Sequence, residues 1–182
     1  MTYQRYFKEL NIKQRKFHKK ELRNSKQLEK VFKIADEISY GMESLQKEIR
    51  KVHKKGASSQ DIQNVLLKLI EGKGFKSEKT GLFESYSTNQ LRPDYFLKLN
   101  KTDGIIIEIE RGKTTTNNMD MLDLWKSHIC KEANHLFLIV PMEVNHTKRI
   151  FHNVCKRIGS FFEFENYINI DSVTIFGYGD ES

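Results

Sequence analysis

Residues that break or cross-link a fold are scarce in this chain of 182 residues, which has two prolines and two cysteines. Cys130 and Cys155 lack the paired spacing of a zinc site or a disulfide framework. We therefore expect free, mostly buried thiols in a reducing compartment, with the cytoplasm as the default. The longest apolar runs, such as residues 135–141, are far too short to span a bilayer, and the opening residues have no apolar h-region of a signal peptide.

Size and composition predict a soluble globular protein with a real core. Its net charge of +7 is unevenly spread, since residues 1–55 hold 16 Lys and Arg against 7 acids and residues 56–182 hold 15 against 17. A basic first third beside a slightly acidic remainder favours an anionic polymer as partner. The alternative is a solvated, lysine-rich helix.

The first third reads as a helical arm. Residues 1–25 carry a thin apolar stripe, and a regular seam of alternating three- and four-residue spacings follows. Its members are Leu28, Val31, Ala35, Ile38, Met42, Leu45, Ile49 and Val52. Such a seam indicates either one long helix lying on its own body or a helix pair, within the chain or across a homodimer.

A boundary is predicted at residues 54–60, where Gly56 stops the first helix and Ser58 or Ser59 caps the next. We therefore divide the chain into a basic helical arm, 1–55, and an α/β domain, 56–182. The order predicted for the second part is a helix, three strands (75–87, 93–99 and 104–111), a helix (117–133), a strand (135–141), a helix (147–158) and a last strand. This order predicts helices flanking a mixed central sheet.

Three carboxylates fall within one predicted hairpin, closed by an Asp-Gly turn. If Leu99 pairs with Ile105, Asp94 lies opposite Glu110, with Glu108 diagonal to it. All three then share one sheet face, where like charges destabilise the hairpin. A hard divalent cation, Mg²⁺ or Mn²⁺, explains such a cluster on a largely buried strand. The alternative is an exposed edge strand whose acids pair with neighbouring Lys and Arg.

Pro93-Asp94, followed by an apolar strand carrying Glu108-Ile109-Glu110, resembles the PD-(D/E)xK nuclease superfamily, over about residues 58–141. The resemblance implies a restriction endonuclease-like α-β-β-β-α-β core and phosphodiester hydrolysis with Mg²⁺. Asp94 and Glu108 would be the metal ligands, helped by the backbone carbonyl of Ile109.

Glu110 stands where the family usually has lysine, so the triplet is an E-x-E variant. Within the resemblance, Glu110 would be a ligand or a water-orienting base. Lys113 and Lys126 are the candidates for a migrated lysine that steadies the attacking hydroxide or the phosphorane charge. The alternative for each is an ordinary surface lysine.

Other polar residues have weaker claims to the site. Arg92, Arg111, Lys113, Thr114 and Asn117 are candidates for nucleic-acid contacts, in the last three cases through the loop at 112–118. Glu71 is a further possible ligand, although decoration of a helix end explains it better. Asp120 and Asp123 flank a helix face defined by Met121, Leu124, Trp125, His128 and Ile129, and helix-surface charge is the simpler interpretation of both.

Together with these patterns, the resemblance implies a cytoplasmic, Mg²⁺-dependent DNA endonuclease of restriction or phage-defence type, with Mn²⁺ as a substitute metal. Its partner would be DNA, most simply double-stranded, with no membrane. The alternatives are an inactive nuclease-like module that binds nucleic acid or a protein, and a coiled-coil assembly module based on residues 1–55.

Overall fold

The computed structural model describes residues 12–54, 56, 58–77, 92–111, 114–144, 149–163 and 168–179. The strands are β1 (Lys13–His18), β2 (Lys76–Ser77), β3 (Tyr95–Lys98), β4 (Gly104–Ile109), β5 (His135–Pro141) and β6 (Ser172–Tyr178). The α-helices are α1 (Lys26–Ser44), α2 (Gln46–Val52), α3 (Ser59–Gly72), α4 (Met119–Ile129) and α5 (Ile150–Glu163). None of the helices in these ranges is long and apolar enough to cross a membrane.

The strands form one mixed sheet in the order β1-β6-β5-β4-β3-β2. The central strands β4, β5 and β6 are parallel neighbours, and the pairs β1–β6, β3–β4 and β2–β3 are antiparallel. Every residue of β5 and β6 is buried, as parallel strands covered on both faces require. The predicted α/β class, with helices flanking a mixed sheet, is confirmed.

Helices cover both faces of the sheet. On one face, α1, α2 and α3 pack on the odd-numbered residues of β4, which include Ile105 and Ile107. On the other face, α4 and α5 pack on Ile106 and on Leu136 and Leu138 of β5. Side chains alternate between the faces of a strand, so each residue of β4 is assigned to one helical layer.

The helical prediction for residues 1–25 is wrong at β1, and residues 1–11 lie outside the described ranges. Six residues of β1 pair with β6, from Lys13 opposite Gly177 to His18 opposite Ser172. Phe17 is buried in the α4–α5 layer, and its ring stacks on Phe162 at 6.0 Å. Pairing with the edge of a buried strand outweighs the weak helical preference of this segment.

The apolar seam lies on the chain's own body. It is divided between α1 and α2, which are separated at Leu45, and it packs in the same core as β4, β5 and β6. Gly41 faces Leu69 of α3 so closely that a Cβ at this position would collide with the leucine side chain. This close approach explains a glycine in mid-helix. Within the described residues the seam is therefore not exposed for a second chain.

The proposed division into residues 1–55 and 56–182 remains a prediction. In the described residues, helices of the first part pack on strands of the second and share one core with them. The capping prediction for α3 is confirmed. The Ser58 side chain accepts a hydrogen bond from the backbone of Asp61, and the Asp61 carboxylate accepts one from the backbone of Ser58. Both cysteines are free and buried, as expected.

Candidate functional site

The β3–β4 hairpin has a register that differs from the prediction by two residues. Leu97, not Leu99, pairs with Ile105, and Tyr95 pairs with Ile107. Continued by one residue, this register places Asp94 opposite Glu108 and not opposite Glu110. Because side chains alternate with a period of two, the shift leaves every residue on its predicted face. Asp94, Glu108 and Glu110 therefore still share one side of the hairpin.

The hairpin's acidic side faces the layer of α4 and α5. Glu108 is buried, whereas Glu110, just past the end of β4, is half-buried. The Glu110 backbone is fixed on both sides. Its N–H donates to the carbonyl of Ile139 at 2.9 Å, and its carbonyl accepts from the Tyr178 hydroxyl at 3.1 Å. The side chain of Glu110 thus extends from a rigid segment at the end of the strand.

Helix α4 places further carboxylates beside this strand, and here the sequence-based interpretation is wrong. Asp120 and Asp123 are not surface charges, since both are 0% exposed, whereas Trp125, taken as part of the apolar face, is 58% exposed. The helix turns Asp120, Asp123, Leu124 and Ser127 inward. A polar stripe at spacings of three and four residues, Asp120-Asp123-Ser127, was the signal in the sequence.

Lys126 of α4 is the cation at the centre of the cluster. Its Nζ lies 3.1 Å from Oε1 of Glu108 and 3.0 Å from Oδ1 of Asp123. The lysine side chain is 10% exposed, so these ion pairs are largely shielded from water. Of the two candidates for a migrated lysine, Lys126 is therefore brought to the acids, while Lys113 lies outside the described residues.

Burial, with a further effect from crowding, raises the pKa values of the two glutamates. Burial raises the pKa of Glu108 well above its usual value, and Asp123 and Asp94 raise it further, against the opposing effect of Lys126. Burial also raises the pKa of Glu110 to about 8, with added repulsion from Asp123 and Asp94. Burial and the neighbouring carboxylates therefore disfavour the ionised forms of both glutamates.

The same causes act on α4. Burial raises the pKa of Asp123 to about 6, although the Lys126 ammonium opposes this shift. Burial raises the pKa of Asp120 as well, opposed by Arg157. Burial lowers the pKa of Lys126, but the Glu108 and Asp123 carboxylates outweigh it and raise the pKa above its ordinary value. The lysine is thus held protonated.

Asp94 is tied to the strand that carries the acidic pair. Its Oδ2 accepts a hydrogen bond of 2.8 Å from the backbone N–H of Ile109. The carboxylate thereby extends the β3–β4 contact past the end of β3 and is held beside the backbone of Ile109, the residue between Glu108 and Glu110. The three predicted residues Asp94, Glu108 and Ile109 are brought together, and the repulsion of Asp94 is felt by both glutamates.

Arg157 of α5, which sequence reasoning missed, fixes the start of α4. Its Nε lies 3.3 Å from Oδ2 of Asp120, its Nη2 donates to Oδ1 of Asn118 at 2.7 Å, and its Nη1 donates to the carbonyl of Thr115 at 3.3 Å. Asn118 has a φ of 54°, a left-handed conformation that asparagine tolerates. One guanidinium thus holds the loop that leads into α4. No local pattern links a single arginine to a loop forty residues before it.

The residues predicted to contact nucleic acid differ in their exposure to solvent. Arg92 and Asn117 are exposed, whereas Thr114 is fully buried and donates to the carbonyl of Arg111 at 3.4 Å. Arg111 itself donates to the carbonyl of Lys54, which precedes α3. The structure therefore leaves Arg92 and Asn117 accessible and does not bring the side chains of Thr114 and Arg111 to the acids.

Glu71 is an exposed residue near the end of α3, in the helical layer on the opposite face of the sheet from Glu108. Its ordinary role as helix-end charge agrees with this position.

Oxygen-ligating metals fit the chemistry of this cluster. Among the described residues, Asp123 Oδ2 is buried without a hydrogen-bond partner, and the carboxylates outnumber the cations that face them. Hard divalent cations prefer such oxygen donors. In the described part of the chain, however, no three His, Cys, Asp or Glu side chains are grouped as metal ligands as they stand. The Lys126 ammonium, between Glu108 and Asp123, is the present counter-ion.

Comparisons of the chain with known proteins found no matching family model, no matching curated protein and no matching solved structure, so the nuclease resemblance stays a prediction.

Proposed function

We propose that this chain is a metal-dependent nuclease that hydrolyses phosphodiester bonds in DNA, an E-x-E variant of the PD-(D/E)xK type. The observation that carries the proposal is the contact of Lys126 with Glu108 at 3.1 Å. It supplies, from α4, the lysine that the triplet Glu108-Ile109-Glu110 lacks. Among the described residues, four carboxylates and one protonated lysine in a single layer provide candidate metal ligands and a hydrogen-bond donor for this chemistry.

Asp94 and Glu108, with the carbonyl of Ile109, would hold Mg²⁺ or Mn²⁺. A divalent cation bound there would supply Lewis acidity and offset negative charge on the phosphate. Asp94 is already oriented by its hydrogen bond from Ile109, so part of the ligand set is fixed before any ion binds. Pre-oriented ligands of this kind reduce the cost of assembling the site.

Lys126 is the residue that we assign to the phosphate. Its ammonium is held protonated by Glu108 and Asp123 and is only partly exposed. With Glu108 engaged as a metal ligand, the ammonium would be available to donate to a phosphate oxygen and stabilise charge that develops in the transition state. Asp123, which also contacts Lys126, keeps the ammonium in position.

The chain's charge supports an anionic substrate. The net charge is +7 although the site itself is acidic, and the excess lies in residues 1–55. Lys and Arg contacts to phosphates give affinity that does not depend on sequence and that falls with salt. In this proposal the acidic site hydrolyses the DNA, and the basic residues 1–55 hold it.

A second candidate is a binding module that has lost its activity. Lys126 already neutralises two carboxylates, and one oxygen of Asp94 is engaged by the backbone. Those contacts satisfy part of the cluster with no metal at all. The two candidates differ in what the substitution of Asp94 changes, because only the nuclease has a cleavage activity that needs this carboxylate. For a nuclease, Asp94→Asn abolishes cleavage while DNA binding persists.

Gel-shift binding and cleavage of the same labelled DNA, with wild-type protein and Asp94→Asn, test the proposal. DNA binding by both proteins with cleavage by neither, in Mg²⁺ and in Mn²⁺, would favour the binding module.

A further inference from the structure

Helix α4 carries an exposed aromatic surface on the side turned away from the sheet. Leu122 is 42% exposed and Trp125 58% exposed. The Trp125 ring is stacked on the ring of His128, with centroids 5.2 Å apart and planes inclined by 25°. We call Leu122, Trp125 and His128 the α4 platform. None of its members has a part in the proposed hydrolysis.

The platform is held in place from outside the helix. Asn169, which precedes β6, donates its backbone N–H to Nδ1 of His128 at 3.0 Å and its side-chain amide to the carbonyl of His128 at 3.3 Å. The first bond orients the imidazole, the second anchors the backbone of His128, and the indole is stacked on the oriented ring. An exposed tryptophan is thus presented in a defined orientation, which lowers the entropic cost of stacking a ligand on it.

The size of the patch limits its occupant. Burial of a whole tryptophan removes about 150–250 Å² of surface, whereas a standard protein interface needs about 800 Å² from each partner. Within the part of the chain that the structure describes, the platform offers two exposed apolar side chains, which are too few for a stable contact with a second copy of the chain. A single planar ring is the ligand that matches the area and the shape.

We propose that the α4 platform stacks an unpaired base of the DNA strand that binds at the neighbouring acidic site. This inference rests on the proposed function for its ligand. Trp125 directly precedes Lys126, and at 3.6 residues per turn Leu122 lies between the two on the helix surface. A helix is about 10–12 Å wide with its side chains, so a strand crosses α4 from Lys126 to Trp125 within a few nucleotides.

Trp125 is the only tryptophan in the chain, so its fluorescence reports on this surface alone. A short oligodeoxythymidylate, a blunt duplex and the same duplex with an unpaired overhang are titrated into the full-length protein in EDTA. We expect saturable quenching by the single strand and by the overhang, and much less by the blunt duplex. Binding is measured separately from the fluorescence anisotropy of a label on the oligonucleotide. If the DNA binds by this measure and the tryptophan emission does not change, the proposal is overturned.

Substitutions of Trp125 test base stacking without relying on tryptophan fluorescence. We expect Trp125→Ala to weaken oligodeoxythymidylate binding roughly tenfold and Trp125→Tyr to retain most of it, because any aromatic face can stack on a base. The matched control is His152→Ala, which removes an exposed ring from α5, outside the basic residues 1–55. Equal affinities for wild type and Trp125→Ala would overturn the proposal, as would a concentration-dependent shift of the emission without DNA, which would show that a second copy covers the platform.

Failure of this inference differs from failure of the proposed function. Quenching is measured in EDTA and needs no catalysis. Metal-dependent cleavage by a protein whose tryptophan does not respond to DNA would leave the nuclease standing and remove the platform. If DNA quenches the tryptophan of a protein that cleaves no DNA in Mg²⁺ or Mn²⁺, the platform stands and the nuclease is removed.

Discussion

The Nζ of Lys126 lies 3.1 Å from Oε1 of Glu108, which joins the middle of helix α4 to the central strand β4. Around this pair the chain gathers Asp94, Glu110 and Asp123, and burial raises the pKa of both glutamates. A protein that needed only stability would gain little from such an arrangement, since buried ion pairs often add nothing over apolar packing. The energetic cost of the cluster is the physical argument for a function there.

Lys126→Met should separate stability from chemistry. Removing the ammonium leaves Glu108 and Asp123 buried without their cation, so we expect the free energy of unfolding to fall by about 3 kcal/mol in urea denaturation. Cleavage should also be lost. The double variant Glu108→Gln/Lys126→Met should recover part of the stability, because one buried charge is gone, and none of the cleavage. Wild-type cleavage by Lys126→Met would exclude the assigned role of this lysine.

Mg²⁺ should stabilise the folded protein. A ligand that binds only the native state raises its stability by mass action, and here it also relieves repulsion among Asp94, Glu108 and Asp123. We expect the melting temperature to rise with Mg²⁺ concentration for wild type and for Glu71→Gln, a matched change of a glutamate on the opposite face. The rise should be absent in Asp94→Asn. Equal rises in all three proteins would show that the ion binds elsewhere.

Arg157→Ala should destabilise the start of α4, because Asp120 then remains buried without its guanidinium. We expect a loss of about 3 kcal/mol in the free energy of unfolding at neutral pH. Asp120→Asn in the same chain should restore part of that loss, since the uncompensated charge is removed. If the second substitution brings further destabilisation, the ion pair is not the reason for the first.

His135 predicts a pH dependence away from the candidate site. Its side chain is buried, with Nδ1 2.8 Å from Oγ of Ser172, and burial lowers its pKa to about 4 against the opposing effect of Asp171 and Asp103. The folded state therefore favours the neutral ring. The stability from this preference is complete above the unfolded pKa of about 6.5 and is lost as the pH falls towards 4.

The loss amounts to about 3 kcal/mol for a shift of this size. His135→Asn should remove it, so that unfolding free energies of the variant depend less on pH between those values. The two proteins are compared by the slope of the unfolding free energy against pH, since the substitution also changes packing and so the absolute stability. Parallel slopes for wild type and variant would contradict a neutral, buried His135.

The sequence predicted the order of elements from α3 to β6 because each is a local pattern. The hairpin register was wrong by two residues and the acids still met, since a shift of two preserves the face of every side chain. The strand β1 was missed because its pairing with β6 joins the two ends of the chain, and no local pattern contains that information.

Helix α4 shows why the burial of its two aspartates was not predicted from the sequence. The ordinary rule puts apolar residues inward, and it would bury Trp125 and expose Asp123. The helix does the opposite, since Asp120 and Asp123 are buried on the side of β4 while Trp125 is exposed. A functional site is where local preference and final structure are expected to disagree.

The most direct test is incubation of plasmid DNA with wild-type protein, Glu108→Gln and Glu71→Gln, each in Mg²⁺, in Mn²⁺ and in EDTA. The account predicts nicking or linearisation by wild type and by Glu71→Gln that needs the metal, and none by folded Glu108→Gln. Cleavage by Glu108→Gln at the wild-type rate, or no cleavage by the wild type with either metal, would contradict a nuclease site at Glu108.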